Sequence, residues 1–332
     1  MMDLKSRFRG CLLGGAIGDA LGYPVEFLSK ERIKKYHGER GIRRFGENRV
    51  AFISDDTQMT LFTAEGLLLA RKRGEGVKRS IYLSYLDWYR TQEEIYIDDG
   101  REGLSSIPVL YDTRAPGMTC LGALRSGLMG GMSFPINNSK GCGGIMRTAP
   151  VALYCFARDV DVLGANELAA EAAAITHGHV LGHLPSYAMN HILYKIFEGE
   201  DLCRAVEHAI DSTKKRYAYT HDASLGIEKM EKAVELSKNP DISDEDAIEI
   251  LGEGWVAEET LAIAIYCALA HSDSFEDAVC ASVNHNGDSD STGAVTGNII
   301  GAYLGVEAIP DYYTRNVELN DVVLGMSDKL LV

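Results

Sequence analysis

Residues 10–22, Gly-Cys-Leu-Leu-Gly-Gly-Ala-Ile-Gly-Asp-Ala-Leu-Gly, and residues 293–305, Gly-Ala-Val-Thr-Gly-Asn-Ile-Ile-Gly-Ala-Tyr-Leu-Gly, both carry glycine at every fourth position. On an α-helix this spacing forms a nearly continuous ridge, and a ridge without side chains lets a second backbone come close. Each of Gly10, Gly14, Gly18, Gly22, Gly293, Gly297, Gly301 and Gly305 costs a helix ~1 kcal/mol relative to alanine, so eight of them call for a packing reason. Two helices lying deep in the core against each other supply one. Caps or turns at several of the positions are the alternative. If the helices pack, the two ends of the chain meet, and Asp19 and the acids near 290 become neighbours.

Around these segments most of the sequence repeats apolar residues at three- and four-residue spacing, over 58–72, 80–90, 166–175, 186–197, 202–212, 224–237, 258–270 and 292–304. Strand-like alternation is nearly absent. The expectation is an all-α fold, a single multi-helix orthogonal bundle spanning 1–332, with long loops at about 28–54, 93–118 and 130–144, where glycine, proline, asparagine and charge gather. Loops of that length in a compact domain tend to be functional.

The 332 residues suffice for one large core, since single cores stop growing near ~250–300 residues. With 46% hydrophobic and 24% charged residues the balance is that of a folded chain. A formal net charge of −15 argues against extended nucleic-acid binding, which needs a positive face to displace counterions from phosphates. The exception is a basic stretch from 30 to 49, where Lys30, Arg32, Lys34, Lys35, Arg40, Arg43, Arg44 and Arg49 outnumber Glu31, Glu39 and Glu47. It reads as a solvated loop or as a cationic rim for a pyrophosphate. The seven cysteines are scattered without metal-type or redox-type pairs, which suits a reducing cytoplasm. Lys5, Arg7 and Arg9 before the apolar run 11–17 imitate a signal peptide, but Asp19 interrupts it. No apolar stretch approaches the roughly 18 residues of a membrane span.

Two acidic clusters carry the chemistry. Ser54-Asp55-Asp56-Thr57 stands directly before a helical run, where capping alone is a sufficient explanation. Asp288-Ser289-Asp290-Ser291-Thr292 follows His285-Asn286-Gly287, and capping accounts for one acid there but not for two acids and three hydroxyls. Hard divalent cations take such oxygen ligands. Joined, the clusters offer four carboxylates and two hydroxyls, enough for two ions in the arrangement used for two-metal hydrolysis.

Seven motifs in order along nearly the whole chain make the sequence resemble the ADP-ribosylglycohydrolase family, the dinitrogenase reductase-activating glycohydrolase and ADP-ribosylarginine hydrolase group. They are GCLLGGAIGDALGYPVEF at 10–27, SDDTQMT at 54–60, RAPGMTCLGAL at 114–124, GCGGIMRTAP at 141–150, TH at 176–177, GWVAEETLAIAIY at 254–266 and GDSDSTGAVTGNIIGAYLG at 287–305. The resemblance implies an all-α fold with two Mg2+ or Mn2+ ions in a cleft. It also implies hydrolysis of the glycosidic bond at C1 of the distal ribose of ADP-ribose, attached to a protein side chain or a small acceptor. By position, Ser54, Asp55, Asp56, Asp288, Asp290 and Ser291 would be metal ligands, with Asp56 and Asp290 also counted as catalytic. Ser291 stands where many relatives have threonine.

Glu26 matches a mobile acidic residue of the family with a catalytic role; a surface glutamate is its plain reading. Residues 141–147 match the segment that presents backbone amides to ligand phosphates, which makes Cys142, Gly143, Gly144, Ile145, Met146 and Arg147 substrate-binding candidates. Many relatives have asparagine at Cys142. His177 matches a substrate-contacting histidine, with a structural role as the alternative. Three rivals remain: a non-catalytic ADP-ribose-binding member, a crystallin-like structural member, and a metal-dependent phosphatase. The last rests on a likeness of 288–292 to the haloacid dehalogenase motif, which should follow an apolar strand that 282–287 does not supply.

Overall fold

The computed structural model describes residues 3–46 and 49–332, so Glu47 of the basic stretch lies outside the described residues. The α-helices are α1 Leu4–Gly22, α2 Lys30–His37, α3 Asp55–Arg73, α4 Val77–Glu93, α5 Met118–Arg125, α6 Ala149–Phe156, α7 Val162–Ala174 and α8 Val180–Phe197. They continue as α9 Leu202–Arg216, α10 Ala223–Ser237, α11 Asp244–Leu251, α12 Ala257–Ala270, α13 Phe275–Val283, α14 Ser289–Leu304, α15 Asp311–Thr314 and α16 Asn320–Leu330. Three isolated bridges, Ala51 with Val317, Gly131 with Phe134 and Gly141 with Val256, are the only β pairing among the described residues. The fold is all-α.

Its axis is the antiparallel pair α1 and α14. A Cβ added to Gly10, Gly14 or Gly18 would overlap the backbone carbonyl of Gly301, Gly297 or Gly293, and one added at those partners would overlap the carbonyls of Gly10, Gly14 and Gly18 in turn. The ridges are therefore pressed backbone to backbone, as the four-residue spacing requires. Gly22 faces the carbonyl of Ser289, which brings the last turn of α1 beside the first turn of α14. Asn298 pins the contact by donating from its side-chain amide to the carbonyl of Cys11 at 2.8 Å. Gly305 alone fits the capping alternative: it ends α14 at φ +79°.

Helices α3, α8 and α12 are buried along nearly their whole length, while α9 turns one apolar stripe inward. The long loop expected at 28–54 is interrupted by α2. Ser29 caps it by accepting from the amide of Arg32, Gly38 stops it at φ +88°, and Ile33 is its one buried residue, so its apolar periodicity is nearly silent. Short 3-10 turns occupy parts of the other two loops, at Gly103–Ser106, Pro108–Tyr111 and Cys142–Gly144. Where the phosphatase reading needs a strand, the chain forms α13 and then a turn.

Three of the eight cations of the basic stretch, Lys30, Lys34 and Arg43, have acidic partners. Lys30 and Lys34 pair with Glu245 at 2.8 and 2.5 Å, and Arg43 pairs with Glu276 and Asp277 at 3.2 and 2.6 Å.

Candidate metal and ligand site

Asp19, in the last turn of α1, organises the start of α3. Its carboxylate accepts from the amide of Ser54 at 3.0 Å and of Thr57 at 3.1 Å, and from the Thr57 hydroxyl. A carboxylate at a helix N-terminus meets unsatisfied amides and the positive end of the dipole. Ser54 also caps α3, its hydroxyl accepting from the amide of Asp56 at 3.2 Å. The capping role is thus real, yet it occupies neither Asp55 nor Asp56 fully: Asp55 takes one bond from the amide of Gly117 at 3.2 Å, and Asp56 Oδ2 is buried with no partner.

The second cluster opens α14. Asp288 is its N-cap, accepting from the amide of Ser291 at 3.2 Å, and Asp290 also accepts from that amide, at 2.9 Å. The turn at 252–256 joins this cluster to the glycine-rich loop. Glu253 accepts from the amide of Asp288 at 2.9 Å, and Trp255 accepts from the amide of Cys142 at 3.2 Å. Gly287 has φ +154°, and a Cβ there would overlap the Glu253 carbonyl, so this junction needs glycine. One more bond, from the amide of Ala257 to the carbonyl of Lys140 at 2.9 Å, fixes the loop on α12.

The two clusters and Glu26 converge. Glu26, Asp288 and Asp290 each offer a carboxylate oxygen within 4.8 Å of the others. Asp56 neighbours Asp288 and the Ser291 hydroxyl, and Asp290 neighbours Asp56, Asp288 and Glu26. All of these carboxylates are buried, and each residue is at most 8% exposed. Glu26 Oε2, like Asp56 Oδ2, has no partner.

Burial, reinforced by the surrounding negative charges, raises Glu26 and Asp55 to about 8 and Asp56 and Asp290 well above the usual carboxylate range. Asp19 rises only to about 6, because its hydrogen bonds offset much of the burial. The largest charge effects on Glu26, Asp55, Asp56 and Asp290 all come from other carboxylates. Buried charges are tolerated when they are paired or coordinate a metal, and a donor set of carboxylates and hydroxyls is what a hard divalent cation takes. The residues present fit such an ion.

The ligand-side candidates lie next to this cluster but differ in access. Cys142 is partly exposed, and its thiol is 2.7 Å from Asp288 Oδ2. Gly143, Gly144, Ile145 and Met146 are buried around the 3-10 turn. Arg147 has no exposed surface: its guanidinium lies 4.4 Å from the Tyr85 ring centroid and donates to Thr176 Oγ1. Thr176 Oγ1 is in turn 2.8 Å from His177 Nδ1. His177 Nε2, the other ring nitrogen, backs Gly141 and Gly143. Burial and Arg147 lower His177 to about 3, which keeps the ring neutral. Exposed Phe27 stacks on Trp255 at 5.8 Å between centroids, flanking Glu26 on one side and the Cys142 anchor on the other.

Comparison with known proteins bears on this arrangement. The sequence pattern of the ADP-ribosylglycohydrolase family matches residues 1–332. The chain belongs to the ADP-ribosylglycohydrolase family. It is 26% identical to the ADP-ribosyl-[dinitrogen reductase] glycohydrolase of Rhodospirillum rubrum, over 96% of this chain and 92% of that one. It is 24% identical to the ADP-ribosylhydrolase ARH3 of Mus musculus, over 94% and 88%. A solved structure titled ADP-ribosylglycohydrolase-related protein complex superposes with a TM-score of 0.63 at 25% identity, over 100% of this chain and 99% of that one.

Family membership supports hydrolysis of ADP-ribose linkages, and Glu26, Asp288 and Asp290 form an acidic group that could hold a metal ion. Sequence reasoning placed Asp19 beside the acids near 290 without giving it a role, and it did not single out the 252–256 turn. For Asp19 the signal was its place at the end of the glycine ridge; for the turn it was two glycines with positive φ, Gly252 and Gly254, which sequence shows only as glycines.

Proposed function

We propose that this chain, working as one domain over 1–332, is a divalent-metal-dependent ADP-ribosylglycohydrolase. It would cleave the bond at C1 of the distal ribose of ADP-ribose attached to a protein side chain or a small acceptor. The observation that carries this is the buried, uncompensated group of Glu26, Asp55, Asp56, Asp288 and Asp290 in a chain of this family. Ser54, Asp55, Asp56, Asp288, Asp290 and Ser291 would hold two Mg2+ or Mn2+ ions. Such a pair supplies Lewis-acid polarisation of a ribose oxygen and a water of lowered pKa.

The protein's own groups do the rest. Glu26, with an unpartnered oxygen at the cluster, accepts a proton from the attacking water and returns one to the leaving group. The amides around Gly143 and Gly144 bind the pyrophosphate, and His177 Nε2 backs the same loop. Cys142 and these backbone amides make the contacts, while buried Arg147 orients His177 from behind through Thr176. Asp19 holds Ser54 and Asp55 in register.

Offering the purified protein ADP-ribosylated arginine and serine peptides, with and without Mg2+ or Mn2+, tests this reading. ADP-ribose release that needs metal is expected from at least one peptide. No release with either metal, from protein shown to be folded, overturns it.

A further inference from the structure

Burying a guanidinium without a carboxylate in contact is costly, and this chain does so directly beneath the glycine-rich loop. Arg147 follows the 3-10 turn Cys142–Gly144 and has no exposed surface. Its guanidinium donates to Met59 Sδ at 3.2 Å, to Cys120 Sγ at 3.4 Å and to Thr176 Oγ1, and lies 4.4 Å from the Tyr85 ring centroid. Its Nε is buried with no partner. Two sulfurs, a hydroxyl and an aromatic face soften the charge without cancelling it. Arginine does not shed its proton in a protein, so the charge stays.

The sulfur that receives Arg147 also supports the loop. A Cβ on Gly143 would come within 3.0 Å of Cys120 Sγ and within 3.0 and 3.2 Å of His177 Cε1 and Nε2. Gly143 thus rests on a layer made by Cys120 and His177, and both members of that layer lie against the Arg147 side chain or its Thr176 partner. The charge is felt there: Arg147 adds to burial in lowering His177 and works against burial at Cys120. An anion held by the loop amides would sit on a dry stack with a fixed positive charge at its base, where a charge acts more strongly than in water. We propose that Arg147 is a positioning residue for a diphosphate-bearing ligand, acting by its charge through the Cys120 and His177 layer and not by contact. The proposal rests on reading the glycine-rich loop as the pyrophosphate site. The same field opposes a divalent cation, so removing it acts on anion and cation with opposite sign.

Calorimetric titration of ADP-ribose into wild type, Arg147→Lys, Arg147→Gln and Arg147→Met, with Mn2+ affinity read by electron paramagnetic resonance, tests this. Arg147→Lys keeps the charge. Arg147→Gln keeps a donor for Thr176 without the charge, and Arg147→Met fills the space beside Met59 and Cys120 with neither. An apolar chain in place of a buried ion commonly leaves a fold intact, and either neutral variant suffices for the test. ADP-ribose affinity should stay within about threefold of wild type in Arg147→Lys and fall about tenfold or more in Arg147→Gln and Arg147→Met. Mn2+ affinity in the neutral variants should be unchanged or tighter. Three results overturn the proposal alone: a neutral variant that binds ADP-ribose like wild type, a loss in Arg147→Lys as large as in Arg147→Gln, or a parallel loss of Mn2+ affinity, which marks a disturbed loop. Wild-type protein that binds no ADP-ribose overturns the reading of the loop and this proposal with it.

Discussion

A carboxylate buried without a counter-ion destabilises the chain that carries it, and here Glu26, Asp55, Asp56 and Asp290 share that position. Asp290→Asn is therefore expected to stabilise the metal-free protein by about 0.5–2 kcal/mol while abolishing the rise in Tm that Mn2+ produces in wild type. Thermal unfolding with and without Mn2+ reads both; a metal-free Asp290→Asn less stable than wild type would assign the residue a structural role.

The same groups set a pH dependence. Glu26 and Asp55 sit near 8 in the folded chain and near ~4 unfolded, so their contribution is fully present below about pH 4 and is lost as pH rises towards 8. His177, lowered to about 3, and His183 and His191, lowered to about 4, act oppositely, losing stability as pH falls below about 6.5. Between about pH 6.5 and 8 the carboxylates dominate, and the metal-free protein should lose stability as pH rises. The Mn2+-induced increase in Tm should grow over the same window, because protons cease to compete for the ligands. A metal effect independent of pH there would contradict the assignment.

At the scale of elements, the site exists because α1 and α14 touch. Their contact sets Asp19 beside the first turn of α14, and Asp19 then fixes the first turn of α3. Gly297→Ala puts a methyl against the Gly14 carbonyl, where no side chain can rotate away. The gain of ~1 kcal/mol in helix propensity should be outweighed by an overpacking penalty of about 1–3 kcal/mol. Because α14 must move, Mn2+ affinity should fall as well, although Gly297 lies two turns from Asp290. Gly325→Ala, in open space on α16, is the control and should be neutral or stabilising. Equal behaviour of the two variants in urea unfolding would refute the close-packed ridge.

Across the whole molecule, what could be read in the sequence was what recurs at a helical period or stands as a compact motif. The paired glycine ridges, the long amphipathic helices and both acid clusters all have that form. Helix α2 escaped because one buried isoleucine makes no period. Arg147 was placed by its motif but not oriented by it: a seven-residue pattern cannot say that its guanidinium turns away onto Tyr85 and Thr176. In the basic stretch at 30–49 the sequence left a solvated loop and a cationic rim both open, because the partners of Lys30 and Arg43, Glu245, Glu276 and Asp277, lie more than two hundred residues away in the chain. Asp55 and Asp56 were ambiguous for a physical reason: the first turn of a helix favours acids whether they bind metal or not.

The account turns on the claim that Asp55, Asp56, Asp288 and Asp290 hold metal. Anomalous difference density from crystals grown with Mn2+ tests it most directly. Two peaks bounded by these four carboxylates are predicted, following the two-metal arrangement. A crystal with Mn2+ at saturating concentration and no peak among them would contradict it.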